Sequence, residues 1–294
     1  MFLALTGIYE PSAIQQLPDG RFLVVEDEKA SPFSLVTIRP DGSTRSAPLA
    51  ADDLPKLDDL EGIAADTAGF IYTVTSHSRN NVGEEKKSRE KLVRFRIEGE
   101  RIASPVVAKG LKAALTAAHP VLAAAAEVRE VKAEGGLNIE ALEVTPDGQR
   151  LLIGFRSPLL ERRAIIASLE NPSAVFETGT VPRISPRLID LDLGGHGLRG
   201  MSWIPALGGY LVISGPVAKE QVQFQLWFWS GKPDDRPRRV NVPGLPGFEH
   251  AEGVSPATID GRQRIVIVSD DGSRESGRPA RFLLVDPGQL QIAP

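Results

Sequence analysis

The chain has 294 residues, 34 Lys and Arg against 38 Asp and Glu, a net charge of −4 and no cysteine. The missing cysteines exclude disulfides, thiolate metal sites and cysteine nucleophiles, and the balanced, slightly acidic charge lacks the basic footprint of a nucleic-acid binder. No apolar run approaches the roughly 20 residues of a membrane helix, so neither nucleic acid nor membrane is an expected partner.

The N-terminal stretch MFLALTGIYE has no basic region, no long apolar core and no small-residue cleavage site. It does not read as a signal peptide, and a cytoplasmic location is the expectation. From residue 10 onward a unit recurs five times: a charged residue, a small residue, a short apolar strand, a Gly turn and a second strand. Its copies begin at Glu10, Glu61, Glu140, Arg199 and Glu252, spaced by 51, 79, 59 and 53 residues. Their turns are Asp19-Gly20, Ala68-Gly69, Asp147-Gly148, Gly208-Gly209 and Asp260-Gly261. Such pairs suit tight hairpins because those turns require positive φ. Spacings near 50 fit one four-stranded propeller blade.

In chain order, third and fourth strands are expected over 34–38 and 44–49, then 91–97 and 106–107, then 164–169 and 187–193, then 224–229 and 239–242, and over 281–285. The fifth unit lacks an outer strand, and residues 2–5 can supply it and remove two open sheet edges. The long third interval holds Ala-, Leu-, Glu- and Lys-rich sequence, with Pro120 placed for the first turn of a second helix. We read it as a helical insertion near residues 111–133, because a sixth blade needs more strand material than this stretch offers. The expected fold class is all-β: one five-bladed β-propeller over residues 1–294.

This topology converts the repeat into a site. The start of each first strand and the end of each second strand lie at one face, beside the central channel. Glu10, Glu61, Glu140 and Glu252 would crowd that mouth, and like charges raise one another's pKa. Arginine pairing or a bound cation would relieve them, and an oxygen-rich, cysteine-free set suits Ca²⁺ or Mg²⁺. These four glutamates are therefore the candidate metal ligands, although a charged residue repeated in every blade also reads as a staple between blades. Arg156 and Arg199 are candidates for binding an anionic group and His77 for moving a proton, making these three the candidate catalytic residues. Glu26, Asp27 and Asp270, at second-strand ends, are candidate ligand contacts.

The segment 195–200 spells G-x-G-x-x-G, but strand-like sequence follows where a dinucleotide site needs a helix. No nucleotide or flavin is expected. Trp227 and Trp229 alternate with Leu226 and Phe228 and read as blade packing.

Taken together, GIYEPSAIQQLPDGRFLVVEDE, SHSRN, GGLNIEALEVTPDGQRLLIGFRSPL, LDLGGHGLRGMSW and AEGVS with VSDDG resemble the bacterial family called domain of unknown function 3616. The resemblance spans nearly the whole chain. It implies a propeller-like fold and a bacterial source, and carries no activity or catalytic residue. The opening Glu-Gly pairs at Glu61 and Glu252 also resemble, more distantly, calcium-dependent propeller enzymes of the gluconolactonase and phytase types, which place acids and amides at the channel mouth. Arg199 at one anchor, and Asn138 as the only amide beside an anchor, depart from that pattern. The functional expectation is a small-ligand, peptide or divalent-metal site at the mouth. Alternatives are a metal-dependent hydrolase of an ester, lactone or phosphoester, and a protein-interaction scaffold.

Overall fold

Five hairpins set the architecture. The turn glycines Gly20, Gly69, Gly148, Gly208 and Gly261 all hold φ between +62° and +87°, a region that costs an L-residue side-chain clash but not glycine. A computed structural model describes residues 1–26, 32–130, 135–218, 223–248 and 250–294.

Each hairpin forms the inner half of a four-stranded antiparallel sheet. Blade I is β2 (Pro11–Gln16), β3 (Phe22–Glu26), β4 (Phe33–Ile38) and β5 (Thr44–Pro48). Blade II is β6 (Leu60–Ala65), β7 (Ile71–Thr75), β8 (Leu92–Glu98) and β9 (Arg101–Ala108). Blade III is β10 (Asn138–Val144), β11 (Leu151–Ser157), β12 (Ala164–Leu169) and β13 (Ile189–Leu191). Blade IV is β14 (Gly197–Ile204), β15 (Gly209–Gly215), β16 (Gln225–Trp229) and β17 (Arg238–Asn241), extended at its edge by β21 (Gln291–Ile292). Blade V is β18 (Ala251–Ile259), β19 (Arg262–Ser269) and β20 (Arg281–Val285), completed by β1 (Leu3–Ala4).

The five-bladed propeller expected from the repeat is thus the fold. The N-terminal strand closes it as anticipated, with Leu3 opposite Phe282. Inner strands touch in a closed circle: β2 with β6, β6 with β10, β10 with β14, β14 with β18, and β18 with β2.

The core is divided the same way. Among the described residues, five apolar clusters form, each between two neighbouring blades. Every blade is therefore apolar on both faces, which explains the near-continuous apolar runs in β11, β12, β15 and β19. Polar clasps join neighbouring inner strands. Glu143 on β10 accepts from the backbone N–H of Trp203 on β14 at 2.9 Å. Gln16 on β2 exchanges two hydrogen bonds with Thr258 on β18, at 2.7 and 2.9 Å.

The insertion between blades II and III forms two helices, α1 (Leu111–Ala118) and α2 (Pro120–Glu127), with Pro120 in the first turn. Leu111, Leu115 and Leu122 bury into the cluster between those blades. His119 sits at the helix junction, its Nε2 3.0 Å from Ser185 O. Residues 131–133 of the expected insertion lie outside the described residues. A third helix, α3 (Pro172–Thr178), interrupts blade III between β12 and β13. The G-x-G-x-x-G segment runs straight into β14 with no helix after it.

Candidate functional site

The site begins with a defect repeated five times. In every blade the pairing of first and second strand slips by one residue near the strand start. The skipped residues are Ser12, Glu61, Glu140, Arg199 and Glu252. Each is the extra residue of a β-bulge, a device that re-aims a side chain out of the pleat. All five line one cavity of about 1190 Å³.

A small residue follows each bulge: Ala13, Gly62, Ala141, Gly200 and Gly253. Crowding near the axis demands it. A Cβ on Gly200 would stand 2.0 Å from the carbonyl oxygen of Glu252, and one on Gly253 would stand 2.9 Å from Cα of Ala13. The charged-then-small pair in the repeat is thus a bulge aimed at the mouth followed by a close approach of strands.

This register revises one expectation. Ser12, not Glu10, is the blade I counterpart of Glu61, Glu140, Arg199 and Glu252. Glu10 precedes β2 and still lines the cavity.

On the cavity floor, two arginines occupy the spaces between carboxylates. Arg199 reaches Glu140 at 3.1 Å on one side and makes a close ion pair with Glu252 on the other. Arg156 reaches Glu140 at 3.2 Å and donates from Nε to Pro216 O at 3.0 Å. Asn138 donates to Glu140 Oε1 at 2.8 Å. The quartet spans blades III, IV and V and is nearly sealed; the Glu140 and Glu252 side chains are 3% and 6% exposed. Three of the buried polar atoms here have no hydrogen-bond partner among the described residues: Asn138 Oδ1, Glu140 Oε2 and Arg199 Nε. Glu140 Oε2 is within ion-pair range of Arg199 but off the hydrogen-bond axis.

Two arginines balance Glu140 and Glu252, and Glu10, Glu61 and Asp270 add further negative charge to the same cavity. The strain registers in protonation. Burial pushes the Glu252 carboxyl up to about 8, the charge on Glu140 adds to the rise, and Arg199 opposes it. Asp270 opens onto the cavity, yet the protein walls around it also raise its carboxyl, with Glu10 adding to the effect. Glu140, Glu252 and Glu61 in turn hold the Arg199 guanidinium firmly in its charged form against its desolvation.

A divalent cation does not fit this donor set. Among the described residues no group of three or more His, Asp or Glu side chains converges to hold one. The place between Glu140 and Glu252 is filled by the Arg199 guanidinium, which would repel a second cation. The expectation that Glu10, Glu61, Glu140 and Glu252 form one metal-ligand set does not match this geometry: all four line the mouth, and arginines pair with Glu140 and Glu252.

The other expected residues divide. Arg156, Arg199 and Asp270 line the cavity. His77 does not: it is buried, with Nδ1 2.9 Å from Thr75 O, and desolvation lowers its pKa to about 4. A neutral ring fixed outside the cavity wall is no proton shuttle for it, which corrects its catalytic assignment. Glu26 is likewise fully buried and outside the wall, bound to Arg274 at 2.7 Å and to the Tyr9 N–H at 3.1 Å. It joins the segment entering blade I to the loop between β19 and β20 of blade V, rather than contacting a ligand. Asp27 lies outside the described residues.

From sequence, the loop over 76–90 and the helical insertion are expected to shape access to the mouth, but the individual residues of this side wall were not singled out. Asp59, held at φ +63°, accepts from Ser78 Oγ at 3.0 Å and pairs with Arg89 at 2.7 Å, and Ser76 Oγ also donates to it. Arg79 donates to Ala126 O at 3.1 Å, which ties the wall to α2. Arg129 and Asn81 stand exposed in the same wall. The polar SHSRN loop was the one available signal; Asp59 and Arg89 meet across 30 residues with no local pattern.

The fold and the convergence at its channel mouth define a β-propeller with a central polar cavity. The family described as protein of unknown function (DUF3616) matches residues 131–286, and the chain belongs to that family. No curated protein matches its sequence. Similar solved structures include an oxidoreductase (glucose dehydrogenase) of Thermus thermophilus, at 16% identity over 97% of this chain and 99% of the other, TM-score 0.50. A GH43 β-1,3-galactosidase, solved with galactodeoxynojirimycin, matches at 8% identity over 99% and 98%, TM-score 0.51. The periplasmic gluconolactonase of Pseudomonas aeruginosa matches at 13% identity over 96% and 78%, TM-score 0.43. At such identities the likeness is one of fold. Among the described residues, no helix is long and apolar enough to cross a membrane.

Proposed function

We propose that the mouth cavity binds a small polar ligand rich in hydrogen-bond donors, of the polyol or amine class. The observation that supports this is the bulge ring itself, which delivers side chains from five blades to the floor of one cavity of about 1190 Å³. The volume suits a small molecule. Among the described residues the lining has no aromatic side chain and only Val82 and Ala218 as apolar ones, so recognition falls to polar groups. Carboxylates with spare lone pairs accept from hydroxyl or ammonium groups, and a donor arriving there relieves the crowding that raises Glu252 and Asp270. The arginine-filled floor supports this reading over a metal-held hydrolytic centre.

Asp270 gives the test, because it opens onto the cavity and stands outside the sealed quartet. Calorimetry with sorbitol, glucose and ethanolamine measures binding to the wild type and to Asp270→Asn. The expected result is millimolar or tighter binding of at least one probe, weakened about tenfold by the substitution, as for loss of a charge-assisted hydrogen bond. Absence of binding by every probe overturns the reading.

A further inference from the structure

The cavity is electrically two-sided. Its floor holds Glu10, Glu61 and Asp270 beyond the balanced arginine–glutamate quartet. Its side wall, built by the loop after β7 and the end of the helical insertion, presents Arg79, Asn81 and Arg129. Arg89 in that wall is committed to Asp59 at 2.7 Å. Arg79 is held in place by the carbonyls of Ala126 and Gly83, and its carboxylate neighbours are loose, Glu85 at 3.5 Å and Glu127 at 3.9 Å. Arg129 is exposed and has no ion-pair partner among the described residues. Among the described residues Glu130 is the remaining acid of this wall and is exposed beside it. Asn80 is spent internally, its Oδ1 accepting from Val82 and Glu84 N–H groups, which fixes the loop that carries Asn81.

An uncharged polyol would use the floor and leave this wall idle. A ligand with an acid at one end would use both, and the floor's negative field would orient it with the acid outward. Resting on the ligand-site reading above, we propose that the cavity takes a two-ended molecule: hydroxyl groups against the floor, and a carboxylate or phosphate against Arg129, Arg79 and Asn81. Guanidinium groups suit both acids, because their planar fork pairs with two oxygens at once.

The test compares sorbitol, gluconate and sorbitol 6-phosphate by calorimetry at low salt, on the full chain and on Arg129→Gln. The side chain of Arg129 is exposed, so the substitution leaves the core intact, and a thermal melt verifies this. Gluconate, sorbitol 6-phosphate or both should bind about tenfold more tightly than sorbitol, the scale of one charge-assisted contact. Arg129→Gln should remove most of that advantage and leave sorbitol within about twofold. A gain confined to one acid identifies which group the wall prefers. Equal binding of all three, or an equal loss for all three in Arg129→Gln, overturns the two-ended inference and leaves the ligand site standing. If none binds, the two-ended inference falls, and the ligand site stands only if ethanolamine or glucose binds.

Discussion

At the residue scale, His77 shows how burial alone changes a group's role. Its ring is sealed in the loop after β7, with Lys91 and Lys112 adding to the desolvation that lowers it and Glu90 opposing them. The unfolded chain takes up a proton near pH 6.5, while the folded one resists until about 4. Stability is therefore fully present above the unfolded value and falls as pH drops through that window. The lost stability is about 3 kcal/mol for a shift of this size. His77→Asn keeps a donor for Thr75 O and tolerates the left-handed backbone at φ +56°. Urea unfolding at pH 7 and pH 4.5 should show a smaller acid loss in this variant than in the wild type; an unchanged pH slope would mean that His77 is not the group responsible. Glu143 carries the opposite sign, its buried carboxyl raised to about 7. Burial favours its protonated form against the hydrogen bonds it accepts, so the folded state loses stability as pH rises from about 4.5 toward 7. The two slopes partly cancel in the wild type, so the substitution is needed to separate them.

At the element scale, the bulge and the small residue behind it act as one unit, and glycine serves two distinct ends. Gly148 turns a hairpin at φ +70° with open space where a Cβ would go. Gly200 lies against the backbone of β18, where an added methyl meets Glu252 O at 2.0 Å. Gly148→Ala should cost about 1 kcal/mol in backbone strain, while Gly200→Ala should cost about 3 kcal/mol or prevent folding, because strand backbone must move. Urea midpoints of the two variants check this, and equal losses would refute the crowding argument. The same contrast separates what the amino-acid order displays from what it conceals. The five hairpins were legible because positive-φ turns and apolar runs are local signals, and so were α1 and α2 from composition and Pro120. The bulge was not. A one-residue slip leaves no mark in periodicity, so Glu10 stood where Ser12 belongs. Arg199 in a ring of glutamates was visible, but its partners Glu140 and Glu252 depend on strand register across three blades. The wall made by Asp59, Arg79, Arg89 and Arg129 joins a loop, a 3-10 turn and a helix end, which only tertiary packing brings together.

At the scale of the whole molecule, the site exists because the ring is closed, and closure depends on a strand of two residues. β1 pairs with β20 through Leu3 and Ala4, the Leu5 N–H donates to Ala280 O at 2.8 Å, and the Leu5 side chain is fully buried between blades V and I. From there the chain turns into blade I, where Ser46 Oγ donates to Thr6 O at 2.8 Å. The first and last blades are thus stitched by one segment, and without it β20 becomes an open edge. Deleting residues 1–5 removes the Leu5 burial and its hydrogen bond, a loss of about 3 kcal/mol. Deleting residues 290–294 removes β21, which runs on from blade V to the outer edge of blade IV and buries its side chains only in part. The N-terminal deletion should therefore lower the urea midpoint at least about twice as far as the C-terminal one, and should add concentration-dependent association through the bared edge. Because Asp270 follows β19 in blade V and Ser12 lies on β2 in blade I, the same deletion loosens the floor of the cavity where those blades meet. Probe binding should then weaken in the N-terminal deletion and hold in the C-terminal one. Equal midpoints with equal binding would show that interblade packing alone, without the stitch, keeps the mouth in shape.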